Sequence, residues 1–230
     1  MYYETEKDDH HLPMSPFKSC VVPRAIGWIS TQSPDGVDNL APYSQFQNLT
    51  FDPPYVMIAI NQTRDGKRKD TTNNIEATGE FVYNMVTYDL REQMNKTATG
   101  FEPEVDEFEK AGLTKSPSKL VKPFRVAESP IQMECVYHST IRLPGRGDMG
   151  TVDVLIGKVV AVHIQDDVIG SDGKIDIVKI KPLARLGYGD YTTVDHSFTM
   201  LIEPEREDIT PEEMFYGLSG ASVINSRKKE

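Results

Sequence analysis

A mainly β fold, an antiparallel barrel with short helical excursions, is predicted by three features of this 230-residue chain. Long runs rich in Val, Ile, Thr and Tyr recur along it, the most extended being SPIQMECVYHSTIRL and TVDVLIGKVVAVHI. The segments of helical pattern between them are brief and bounded by Gly and Pro signals. A regular strand–helix–strand alternation, which would build a parallel sheet, is missing.

Taken in order, residues 1–16 form an N-terminal arm ending in the stiff LPMSP, and residues 17–203 form the barrel domain. FKSCVVPRAIGWIST carries two apolar runs separated by Pro-Arg. Ser33-Pro34-Asp35-Gly36 is a turn in which proline presets φ and glycine takes the positive-φ position, so GWIST and VDNLAPYS pair as a hairpin. PPYVMIAI is a continuous apolar run suited to a buried strand. TTNNIEAT is a short helix with Asp70 or Thr71 as its cap and Gly79 after its end. EFVYNMVT is a strand, YDLREQMNKTA a helix, and EPEVDEFEKAG a short solvated helix ended by Gly112. Three long β segments follow, the two quoted above and KIKPLARLGYGDYTTV. Residues 204–230 are a C-terminal helix, opened by Thr210-Pro211-Glu212-Glu213, and a loose tail.

Composition narrows the function. Apolar residues at 38% and charged residues at 26% describe a soluble globular chain. A formal net charge of −10 argues against nucleic acid or an anionic membrane as a partner. No apolar run approaches the ~20 residues of a membrane span. The start, MYYETEKDDHHLP, is acidic and polar, unlike a signal peptide, and a cytoplasmic location is expected. Cys20 and Cys135 lie in apolar runs and read as buried free thiols.

Several motifs fail on context. GRGDMG matches a dinucleotide fingerprint literally, but a β-type run follows it where that fingerprint needs a helix N-terminus. His10-His11 are adjacent residues in an arm, His138 and His163 sit in strands, and only His196, near a glycine-rich turn, is a candidate to face a pocket. Metal-ligand, thiol and serine-nucleophile patterns are lacking, so no metal site and no catalytic side chain is assigned.

The segment DNLAPYSQFQ, small and amide-rich between two strands, raises the question of what packs on its backbone. Small residues there let a planar ligand approach, and Ser44, Gln47 and Asn48 offer hydrogen bonds. Upstream, GWIST contributes an indole and two hydroxyls. In GKRKDTTNN, Lys67, Arg68 and Lys69 precede a helix N-terminus whose free N–H groups and threonines suit a phosphate. A flat polar ring with a phosphate tail fits all three pieces, and flavin mononucleotide (FMN) is such a ligand.

The run VVPRAIGWISTQSPDGVDNLAPYSQFQNLTFDPPYVMIAI, with KDTTNNIEATGEFVYNMV, resembles the flavin reductase-like, FMN-binding split-barrel family over about residues 8–203. The resemblance implies a six-stranded antiparallel Greek-key split barrel, a homodimer, and FMN near the subunit interface. By position, Asn39, Ala41, Pro42, Tyr43 and Ser44 would lie along the ring and ribityl chain, and Gln47, Asn48 and Leu49 near the ring edge. Lys69, Asp70 and Thr71 would surround the phosphate, and Trp28 would be cover or core. Reductases of the family carry Gly-Asp-His where this chain has Gly150-Thr151-Val152, and that histidine is thought to handle nicotinamide. The function expected is an FMN-dependent oxidoreductase fed by NAD(P)H or a protein donor. An electron-transfer FMN protein with a redox partner protein, and a barrel for another ligand such as haem, stand as alternatives.

Overall fold

The computed structural model describes residues 1–63, 65–147 and 150–201. Residues 1–195 form one compact unit, and a second begins at His196. The expected C-terminal helix and tail, 204–230, lie outside the described residues.

The strands are β1 (Arg24–Ala25), β2 (Gly27–Gln32), β3 (Asp38–Tyr43), β4 (Phe46–Phe51), β5 (Pro54–Asn61), β6 (Glu80–Met85), β7 (Lys115–Ser116), β8 (Arg125–Val126), β9 (Ile131–Leu143), β10 (Val152–Ile164), β11 (Leu183–Gly187) and β12 (Asp190–Thr193). Four short helices interrupt them: α1 (Asp70–Thr78), α2 (Arg91–Lys96), α3 (Glu107–Ala111) and α4 (Ile177–Ile180). A seven-stranded sheet runs β3-β2-β6-β9-β10-β5-β4, every pairing antiparallel. Its two end strands, β3 and β4, are consecutive in the chain, separated only by Ser44 and Gln45. The chain thus passes directly from one end of the sheet to the other, where the Ala59 N–H donates to the Gln45 carbonyl at 2.9 Å. The sheet thus has seven strands where six were expected, because the chain bends at Ser44-Gln45 and is divided there into β3 and β4.

Alternation along the strands sorts most of the core into two clusters, beside a small third one of Ile131, Val168 and Ile180. Val56, Ile58 and Ile60 of β5 meet Ile29, Phe81, Leu155 and, from α1, Ile75. On the other face of β2, Trp28 packs with Leu40, Val86, Met94 and Phe108 beneath α2 and α3. Strand β2 is therefore buried on both faces, which is why GWIST reads as a run rather than an alternation. Two glycines are dictated by aromatic rings. A Cβ on Gly157 would stand 2.3 Å from the Phe81 ring, and one on Gly27 2.6 Å from the Phe46 ring.

The predicted hairpin is present, with Gly36 at φ 87° and register from Gly27↔Tyr43 to Gln32↔Asp38. Other expectations are corrected. KIKPLARLGYGDYTTV is a helix and a hairpin, not a single strand. Lys181, Gly187 and Tyr188 take positive φ, and β11 and β12 join β1 in a separate three-stranded sheet. The glycines at 187 and 189 were the available signal. Cys135 is buried as expected, but Cys20 is exposed, because the 3-10 turn Pro16–Ser19 leaves it on the surface. Neither Asp70 nor Thr71 caps α1. The cap position is Lys69, with no side-chain cap bond. Among the described residues no helix is long and apolar enough to cross a membrane.

Candidate functional site

Strand β3 and the start of α1 are brought together by short polar side chains. Asn39 Nδ2 donates to Thr71 Oγ1 at 3.0 Å and to Thr31 Oγ1 at 3.2 Å, and the Tyr43 hydroxyl donates to Thr71 Oγ1 at 2.8 Å. Asn74 of α1 reaches back to Thr31 at 3.1 Å. Burial pushes the Tyr43 phenol up, so it remains a proton donor. The first turn of α1 is thereby fixed against the strand, with its N-terminus open.

A small cleft of about 100 Å³ lies there, lined by Asn39, Ala41, Pro42, Tyr43, Lys69, Asp70 and Thr71. Seven of the twelve residues expected around a flavin thus meet in one place. Sequence reasoning missed its far wall, Thr97 to Phe101 and Glu107. Glu107 fastens that wall to the strand by accepting from the Leu40 N–H at 2.9 Å. Its only sequence signal was the acidic short helix.

The three basic residues before α1 have different fates. Lys67 pairs with Asp65 at 2.9 Å on the surface. Arg68 is a strut, its guanidinium joining Glu76 at 2.7 Å and the buried Asp153 at 3.0 Å, with Arg142 on the other oxygen of Asp153 at 2.8 Å. Lys69 has no ion pair among the described residues, and it alone of the three lines the cleft.

The donors present fit a phosphate. Among the described residues Thr71 Oγ1 accepts two hydrogen bonds and donates none, leaving its proton unused, whereas the buried and unpartnered Thr72 Oγ1 does not line the cleft. The Thr71 hydroxyl, the uncapped amides of the first turn and the Lys69 ammonium are what an anionic oxygen requires. Carboxylates oppose them. Burial raises Glu107 to about 7, reinforced by Asp106 and Asp70, and burial also raises Asp70, reinforced by Glu104 and Glu102. A carboxyl raised in this way carries less negative charge near neutral pH than an exposed one would.

Ser44 and Gln47 face a larger cleft of about 680 Å³, with Phe17, Lys18, Val21, Arg24, Arg185 and Tyr188. The strand passes from one cleft to the other between Tyr43 and Ser44. Asn48 and Leu49 line neither and stand exposed on β4. Trp28 is fully buried, and its indole N–H donates to Thr97 Oγ1 at 2.9 Å, so it belongs to the core and supports the wall of the smaller cleft.

Known proteins share this architecture. A family model described as a flavin reductase like domain matches residues 19–184. An uncharacterized protein of Aquifex aeolicus is 38% identical over 167 residues, covering 73% of this chain and 82% of that one. The crystal structure of nitrilotriacetate monooxygenase component B from Bacillus cereus is similar at TM-score 0.75 and 32% identity, covering 86% of this chain and 95% of that one. A protein with a split barrel domain from Shewanella frigidimarina gives TM-score 0.73 at 24% identity, with 87% and 98% covered.

Proposed function

Because the chain belongs to the flavin reductase-like family, we propose that it is an FMN-dependent oxidoreductase passing electrons from NAD(P)H or a protein donor through bound FMN. One observation carries the choice of FMN: the uncapped N-terminus of α1, with Lys69 free of ion pairs among the described residues and the buried Thr71 hydroxyl accepting two hydrogen bonds, set beside the small-residue strand Asn39–Tyr43. Lys69 and the first-turn amides hold the phosphate, Thr71 donates to it, and Ala41 and Pro42 leave the backbone open to the rest of the ligand. Ser44 and Gln47 offer polar groups at the edge of the larger cleft. FMN supplies the electron chemistry, while the protein orients and shields it.

A carrier role, in which FMN exchanges electrons with a redox partner protein, is the second reading. It is favoured by the lining of both clefts, which among the described residues includes no histidine. Anaerobic titration of the flavin-loaded protein with NADH and NADPH separates the two. Bleaching at turnover rate is expected for the reductase, and an unchanged spectrum selects the carrier. A protein that stays colourless after incubation with FMN contradicts both.

The assembly we propose is a homodimer. Strand β4 has five of its six residues exposed, carries no charge, and presents Leu49 and the 87% exposed Phe51. An uncharged strand with exposed apolar side chains at the end of a sheet is a pairing surface unless something covers it. Sedimentation velocity is expected to give a dimer for the native chain and a monomer for Phe51→Lys; a monomeric native chain would refute the assembly.

A further inference from the structure

The larger cleft has an electrostatic character at odds with the rest of the chain. In a protein of net charge −10, it is lined among the described residues by Lys18, Arg24 and Arg185 and by no carboxylate. None of the three cations forms an ion pair among the described residues. Arg24 Nη1 donates to the Lys18 and Val21 carbonyls, each at 2.9 Å, while its Nε is buried with no partner. Arg185 bonds only to the Tyr191 hydroxyl and the Tyr188 carbonyl and lies over the Tyr191 ring, its carbon 4.4 Å from the centroid. A half-buried guanidinium with neutral partners alone retains a full charge in a medium less polar than water, so an anion entering there is strongly favoured. A buried N–H without an acceptor has a ligand oxygen as its natural complement.

The walls specify the remainder of the ligand. Phe17 and Val21, each 66% exposed, stand beside these cations, and Phe46, Met57 and Tyr188 line the same cleft. Aromatic and aliphatic cover around a cationic rim matches a flat apolar body bearing a planar anion, and guanidinium groups match carboxylate geometry better than an ammonium does.

We infer that this cleft binds a small aromatic carboxylate, held by Lys18, Arg24 and Arg185 with its ring between the apolar walls. The binding site follows from the cleft alone. That this ligand would lie beside a flavin rests on the reading of the smaller cleft and of Ser44 and Gln47 as the FMN site.

Calorimetric titration of the FMN-loaded protein with benzoate and with benzamide, its neutral counterpart, tests the site. Benzoate is expected to saturate one site and to bind about tenfold or more tighter than benzamide, the worth of one charge-assisted contact. Its affinity should fall with added salt. Lys18→Gln and Arg185→Gln should each weaken benzoate several-fold and leave benzamide unaltered. Lys18 is an exposed side chain, so that variant reports even if Arg185→Gln fails to fold. Equal binding of the two probes, no saturation by benzoate, or tighter binding of adenosine monophosphate than of benzoate would overturn the inference. Release of FMN by benzoate would also overturn it, since the cations would then serve the FMN phosphate. Preference for benzoate in a protein that takes up no FMN would uphold the anion site and remove the flavin reading instead.

Discussion

Lys69→Ala is expected to lower FMN affinity by ~1.5–3 kcal/mol, roughly ten- to hundredfold, and to leave riboflavin affinity nearly unchanged. The asymmetry is the informative part, because only FMN presents a dianion to the ammonium. Fluorescence quenching titrations with both ligands measure it. Lys67→Ala provides the contrast within the same tripeptide. Lys67 is surface-exposed and already paired with Asp65, so its loss should alter FMN affinity by no more than about twofold. Equal losses for FMN and riboflavin in Lys69→Ala would place the lysine away from the phosphate. An effect at Lys67 as large as that at Lys69 would reassign the seat to the loop before the helix.

The second large effect concerns stability. Glu134, on β9, is fully buried and makes four hydrogen bonds: it accepts from the N–H groups of Lys119, Leu120 and Val121 and from His163 Nε2. Burial alone would raise its pKa, but the Lys119 amide, His163 and the Leu120 amide together hold the carboxyl below its usual value. Glu134→Ala removes the acceptor of all four donors, of which Lys119 and Leu120 belong to exposed residues and can turn to water, and is expected to destabilise the fold by about 2–3 kcal/mol in urea titration. Glu134→Gln retains a carbonyl acceptor and should cost about half as much or less. The sign with pH follows from the depressed folded-state value. The contribution is present above the unfolded carboxyl pKa of 4.5 and is lost as pH falls through the lower folded value. A loss under about 1 kcal/mol for Glu134→Ala would mean that water replaces the carboxylate without penalty.

Strands and turns were readable where local chemistry decides them. The Ser33–Gly36 turn, the β-branched runs and Gly112 after the third helix each act through their own backbone preferences, and each is present. The bend that carries the chain between the two end strands was not readable. Nothing in Ser44-Gln45 announces that one strand leaves the sheet at one end and re-enters at the other. The hairpin of β11 and β12 was missed for the opposite reason, since the β propensity of LARLGYGDYTT outweighed the glycine at the turn.

For the site, the segment from Asn39 to Tyr43 and the corner from Lys69 to Thr71 were legible, because small residues and an N-terminal helical turn have meaning in sequence alone. Their far walls were not. Thr97 reaches the small cleft from a segment that reads only as a helix and Glu107 from one that reads as a solvated helix, and Arg185 reaches the larger cleft from the opposite end of the chain. The division of labour among Lys67, Arg68 and Lys69 also depends on Asp153, 85 residues from Arg68 in sequence. Packing of that kind is not encoded in any local pattern.

The central claim, that the smaller cleft seats a flavin nucleotide's phosphate, is tested most directly by a crystal structure of the protein soaked with FMN. The expected density has the phosphate within hydrogen-bond distance of Lys69 Nζ, Thr71 Oγ1 and the first-turn amides of α1, with the tricycle against Ala41–Ser44. Phosphate density among Lys18, Arg24 and Arg185 instead, with the α1 corner closed by protein side chains, would contradict it.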